Sequence, residues 1–134
     1  MADRYLIDTS IWIDLYENRK GFHGELLGDY ALKLLSRILS DKDIIIITDF
    51  LIDELEMKLS LPEIRGMLKP FETLIEKRLA NALQDTEAQK IAMLRNIPEG
   101  DALHAVMARD SNSILISRDR HFRQLEDIAP HYKP

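Results

Sequence analysis

Three aspartates in this chain stand at junctions where alternating strands and helices would bring them to one rim. Asp8 closes the apolar run Tyr5-Leu6-Ile7, Asp101 lies near the start of a helix headed by Pro98, and Asp119 lies two residues beyond the run Ile114–Ser117. A fourth acid, Glu54, rides the helix that follows Ile44–Ile47. Several carboxylates with no thiolate and few histidines suit a hard cation such as Mg²⁺ or Mn²⁺, held by oxygen atoms and water. Uncompensated, such carboxylates repel one another and at least one pKa rises. A divalent ion relieves that repulsion, binds a phosphate oxygen and lowers the pKa of a water. The chemistry indicated is metal-assisted phosphodiester hydrolysis. Taken singly, Asp101 and Asp119 also fit plain helix caps. Asp53 would replace Glu54 if the helix were turned by about 100°, the step of one residue.

The elements that must position these acids can be read from hydrophobic periodicity. Tyr5-Leu6-Ile7 reads as a short buried strand, Asp8-Thr9-Ser10 as a helix cap, and Ile11 to Leu15 as the helix it opens. Leu27, Ala31, Leu34, Leu35 and Ile38 recur at helical spacing to about Ser40. The β-branched run Ile44–Ile47 suits a strand buried on both faces. Thr48-Asp49 then caps a helix through Leu51, Leu55 and Leu59, with Asp49 read as the N-cap. Pro62 restarts a helix with Ile64, Leu68, Phe71 and Ile75 on one side. Leu79–Leu83 is expected as a third strand, Asp85-Thr86 as the start of the next helix, and Ile114–Ile116 as a buried strand. Alternating strands and helices with apolar strands predict a single three-layer α/β/α domain over residues 1–134, with a mostly parallel sheet.

Composition narrows the function further. The 134 residues carry 23 acidic and 18 basic side chains, a formal charge of −5, which argues against broad coating of nucleic acid and leaves room for a local basic rim. The absence of cysteine excludes disulfide scaffolds, thiolate zinc sites and a cysteine nucleophile. No apolar run approaches the ~20 residues that span a bilayer, and the N-terminus has no signal-peptide pattern. A cytoplasmic protein without a membrane role is expected.

Around the acids, His104 shares a helix face with Asp101 and reads as a hydrogen-bonded supporting group rather than a ligand. His121, Arg118 and Arg120 flank Asp119 and form a candidate phosphate rim, to which Arg109 and Arg123 could add. Trp12 and Phe22 could stack on an unpaired base, although Trp12 also suits the core. Asp14 and Asp110 read as exposed helix acids.

Four segments in order, Tyr5-Leu6-Ile7-Asp8-Thr9-Ser10, Glu54-Leu55, Gly100-Asp101-Ala102-Leu103-His104-Ala105 and Ser117-Arg118-Asp119-Arg120-His121-Phe122, resemble the PIN domain family, most closely its prokaryotic VapC toxins. The resemblance covers essentially the whole chain. It implies a sheet of about five strands, the last around Ile128, and a Mg²⁺- or Mn²⁺-dependent endoribonuclease leaving 5′-phosphate and 3′-hydroxyl ends. It further implies that Asp8, Glu54, Asp101 and Asp119 form the metal centre, with Ser10 and Ser117 orienting ligands. A small antitoxin partner, a homodimer and an RNA substrate follow from the same likeness. The loop Gly21–Gly28 is longer and more polar than a minimal member's. Two other classes compete. A phospho-aspartyl enzyme lacks its second motif acid, since Ser10 stands there, and a late-strand lysine. An RNA-processing nuclease without antitoxin, or a metal-binding interaction module, would carry the same acids.

Overall fold

The computed structural model describes residues 2–134. The strand β1 (Arg4–Ile7) leads into α1 (Thr9–Glu17) and α2 (Leu27–Asp41). Then come β2 (Ile44–Thr48), α3 (Asp49–Glu56), α4 (Leu61–Leu68) and a 3₁₀ turn over Lys69–Leu74. The chain continues through β3 (Ile75–Arg78), α5 (Ala82–Arg95), α6 (Glu99–Asp110) and β4 (Ile114–Ile116). A second 3₁₀ turn, Arg120–Leu125, precedes β5 (His131–Tyr132). All five strands are parallel, in the order β3-β2-β1-β4-β5.

Strand alternation divides the core into two layers. Tyr5, Ile7, Ile45, Ile47 and Ile116 pack on one face against Trp12, Leu35, Ile38, Leu51, Leu55 and Ile64 of α1 to α4. Leu6, Ile46 and Leu115, neighbours in register, face the other way onto Ala88 of α5 and Ala102, Ala105 and Ala108 of α6. Those alanines let α6 lie close to the sheet. The expected three-layer α/β/α architecture is therefore present. Its order has a consequence for the site: the chain moves outward from β1 to β3, then returns to place β4 on the other side of β1. The crevice at that reversal lies beyond the carboxyl ends of β1 and β4, where ligands bind in open parallel sheets.

Several boundaries differ from the sequence expectation. The third strand is Ile75–Arg78 rather than Leu79–Leu83, and Ile75 belongs to it instead of extending the Pro62 helix. Pro70 disfavours continued α-helix, and the chain tightens into a 3₁₀ turn that delivers β3. An edge strand reading Ile-Glu-Lys-Arg carries the charges that blunt such edges, so it lacks the apolar signal of β2. Helix α5 starts at Ala82 with a reciprocal Asn81–Gln84 capping box, ahead of Asp85-Thr86. Thr48, not Asp49, caps α3, accepting from the Leu51 amide at 2.9 Å, while Asp49 accepts from the Ala80 amide. The last strand falls at His131–Tyr132 rather than around Ile128.

Arg4 crosses β2 to reach Glu76 on the edge strand, at 2.5 and 3.1 Å, and donates from Nε to the Ser111 carbonyl. Hydrogen bonds from Arg4 and Arg78 hold the Glu76 carboxyl down at about 2. A carboxylate lowered in the folded state adds stability above its unfolded pKa and loses it as pH falls. Melting temperature should thus fall between about pH 4.5 and 2 less steeply in Glu76→Gln than in the parent. Parallel pH profiles would contradict this tie.

Candidate functional site

Asp8 follows β1 directly, its amide donating to the Ile116 carbonyl of β4, so that the two strand ends present their side chains side by side. Its Oδ2 accepts from the Ser10 hydroxyl at 2.6 Å and the Ser117 hydroxyl at 3.2 Å. Ser117 is fully buried and its Oγ also accepts from the Asp119 amide at 3.0 Å. One hydroxyl thus couples the acid after β1 to the acid after β4. Asp119 in turn caps the 3₁₀ turn, accepting from the His121 amide at 2.9 Å.

Asp101 occupies the first turn of α6, where the helix dipole favours an anion. Burial and the negative charges of Asp119 and Asp8 outweigh that advantage and push its carboxyl up to about 6. The His121 Nδ1 lies 3.1 Å from both Asp101 Oδ2 and Asp119 Oδ1. Among the described residues, Asp101, Asp119 and His121 form the one group whose donor atoms lie close enough together to share an ion. His121, expected at the substrate rim, lies between two of the acids.

Glu54 reaches the site from α3 and is held at one oxygen. Its Oε1 accepts from the Thr9 hydroxyl and from His104 Nε2, each at 2.6 Å. Burial pushes the Glu54 carboxyl up, but the hydrogen bond and charge of His104 and the Thr9 bond together hold it below its ordinary value. His104 itself is buried, which disfavours its charge, yet Glu54, Asp8 and Asp101 raise its pKa. Its Nε2 lies 3.8 Å from Asp8 Oδ1, and its buried Nδ1 has no hydrogen-bond partner among the described residues. Glycine at position 100 leaves room for the Phe50 ring beside this contact: a Cβ there would come within 2.9 Å of the ring tip and force it to shift. Thr9 was read only as part of a cap; its contribution to Glu54 becomes visible once α1 and α3 are packed together.

The flanking cations divide. Arg118 donates from Nε and Nη2 to Asp14 at 2.7 and 2.8 Å. Asp14, expected to be exposed, is only 1% exposed and anchors the loop after β4 to α1. Arg109 pairs with Glu87 and Asp110 towards the far end of α6, about 12 Å from Asp101 along the helix. Arg120 and Arg123 are exposed and make no ion pair among the described residues. Trp12 is fully buried, edge-on to Phe71, whereas Phe22 is 97% exposed.

The donor set fits a hard divalent cation. It is dominated by carboxylate oxygens, contains no thiolate, and includes an acid raised by burial and by its like-charged neighbours. No helix among the described residues is long and apolar enough to cross a membrane.

The sequence pattern of the PIN domain family matches residues 5–128. In fold, the chain is similar to VapBC2 from Rickettsia felis bound to a promoter DNA fragment, with TM-score 0.67 and 16% identity over 97% of this chain and 98% of that one. It is also similar to VapBC-1 from nontypeable Haemophilus influenzae (TM-score 0.64, 17% identity, 97% of each chain). FitAcB from Neisseria gonorrhoeae is a further neighbour (0.62, 14%, 96% of each chain). No curated protein is significantly similar to this chain in sequence.

Because the folded state binds the Asp101 proton more tightly than the unfolded chain does, stability should fall as pH rises from about 4 to 6 and then level off. Asp101→Asn should abolish that fall and melt higher than the parent at pH 8. Mn²⁺ should stabilise the parent more as pH rises through about 6, and stabilise Asp101→Asn far less. Thermal melts that give both proteins the same pH profile and the same metal response would contradict the assignment.

Proposed function

The chain belongs to the PIN domain family of nucleases, and from that premise we propose that it is a metal-dependent endoribonuclease of the VapC toxin type. The observation that supports this most is that Asp101 and Asp119 present oxygens close enough to share an ion beyond the carboxyl ends of β1 and β4, with Asp8 linked to Asp119 through Ser117 and Glu54 alongside. Mg²⁺ or Mn²⁺ held by Asp8, Asp101 and Asp119, with Glu54 binding directly or through water, would neutralise the scissile phosphate and lower the pKa of the attacking water.

The side chains around these acids then have definite tasks. Ser10 and Ser117 occupy Asp8 Oδ2 and leave Oδ1 free to turn towards a ligand. Thr9 and His104 occupy Glu54 Oε1 in the same way and leave Oε2 facing the start of α6. His121 bridges Asp101 and Asp119, and the exposed Arg120 nearby offers a cation to substrate phosphates. Water attacks phosphorus in line with the 3′-oxygen, which departs with a proton as the 3′-hydroxyl, and the phosphate stays on the 5′ end of the other product.

A small antitoxin partner and a homodimer belong to the same reading. Support for the partner comes from the VapBC and FitAB assemblies among proteins of similar fold. A cytoplasmic location agrees with RNA as substrate.

A mixed-sequence quenched fluorescent RNA incubated with purified protein tests the proposal. Cleavage in Mg²⁺ or Mn²⁺ that stops with EDTA and falls by at least about 10²-fold in Asp101→Asn is expected, given what a positioned electrostatic group is worth. Equal rates in the parent and Asp101→Asn, or cleavage indifferent to EDTA, would overturn it.

A further inference from the structure

We propose that a groove between α2 and β5, outside the acid cluster, binds the single-stranded RNA that flanks the cleaved phosphate. The proposal rests on the nuclease reading for its substrate, and on the groove's own chemistry for its location.

Helices α1 and α2 cover the sheet over β1 and β2, leaving the same face of β4 and β5 open beside α2. The resulting groove encloses about 670 Å³, with Tyr5, Ile114 and Ile116 among the residues of its floor. Tyr30, Lys33 and Arg37 line it from α2, and Tyr132 and Lys133 from the opposite side. No aspartate or glutamate lines it, although the chain as a whole carries −5. Lys33, Arg37 and Lys133 are exposed and make no ion pair among the described residues, unlike Arg4, Arg95, Arg109 and Arg118. Three uncompensated cations on one concave surface attract a polyanion.

The tyrosines narrow the choice of polyanion. Tyr30 is 45% and Tyr132 60% exposed, one from each wall, so both rings are accessible for stacking. Exposed aromatic rings along a cationic groove are what sequence-tolerant single-strand binding uses. Lys33 and Arg37 stand one helical turn apart, about 5–6 Å between Cβ atoms, close to the separation of successive phosphates in an extended strand. An acidic peptide would use the cations but would leave the rings without a matching partner.

Position completes the argument. The Tyr132 carbonyl accepts from the Ser117 amide at 3.0 Å, and the Ser117 hydroxyl donates to Asp8. The groove therefore opens at the same sheet edge as the acid cluster. From there it runs back along α2 towards Arg37, and Asp3, whose carboxylate accepts from the Tyr5 hydroxyl, lies near its far end. A strand engaged at the acids can continue into the groove and meet repulsion where the acidic end begins.

The test uses a 5′-fluorescein oligouridylate of about a dozen nucleotides, within the usual site sizes of such grooves, and the full chain carrying Asp101→Asn to prevent cleavage. Fluorescence anisotropy should give an affinity that falls with salt, and falls at least about tenfold in Lys33→Glu/Arg37→Glu and in Tyr132→Ala. Lys58→Glu/Lys90→Glu, an equal double charge reversal on exposed residues outside the groove, should alter it by less than about twofold, as expected for screened distant charges. Circular dichroism and thermal melts on each variant separate lost binding from lost folding, and Tyr132→Ala carries the test if the charge reversals unfold. Unchanged affinity in the folded groove variants would overturn the proposal. So would preferential binding of a poly-glutamate peptide, or a change of oligomeric state by light scattering that accounts for the loss. If the parent cleaves no RNA yet these variants lose oligonucleotide binding, the groove stands and the nuclease reading falls. If the parent cleaves and the variants bind normally, the reverse holds.

Discussion

Carboxylates gathered at one sheet edge repel one another, and most of the local structure around the site answers that repulsion. Ser10 and Ser117 donate to Asp8, Thr9 and His104 donate to Glu54, and His121 stands between Asp101 and Asp119. The donors come from α1, α6 and the segment after β4, and the acids they serve lie after β1, on α3, on α6 and after β4, so the arrangement exists only when all of these are in place. Asp101, buried and facing the charges of Asp119 and Asp8, remains well above the usual carboxylate range. That residue is where binding of a cation would change the balance most.

Rigidity comes from contacts beside the acids as well as from those among them. The pair of buried Asp14 and partly exposed Arg118 ties the loop after β4 to α1, and Arg118 immediately precedes Asp119. Removing Arg118 would leave the buried Asp14 carboxylate uncompensated, which costs more than losing a surface ion pair. Gly100 contributes in the opposite manner, by being small enough for α6 to start against the Phe50 ring. The fold thus fixes the acids from both sides of the sheet.

Much of this was legible in the sequence, for identifiable reasons. The runs at Leu6, Ile45 and Leu115 form β1, β2 and β4 because strands buried on both faces must be continuously apolar. The edge strand β3 was displaced in the reading because its residues Glu76, Lys77 and Arg78 satisfy solvent and Arg4 rather than a core. Strand β5, of two residues, is too short to show periodicity. Asp8, Asp101 and Asp119 stood out because each follows a strand or begins a helix. Thr9, His121 between the acids, and buried Asp14 depend on contacts between elements distant in sequence, which spacing along the chain does not encode.

The central claim is that Asp8, Asp101 and Asp119 together hold a divalent cation. Anomalous diffraction at the manganese edge, from crystals grown with Mn²⁺, tests it without reference to any substrate. The account predicts a peak about 2.0–2.2 Å from carboxylate oxygens of these three residues, the range of small hard cations on oxygen. A peak elsewhere, or none at this sheet edge, would contradict it.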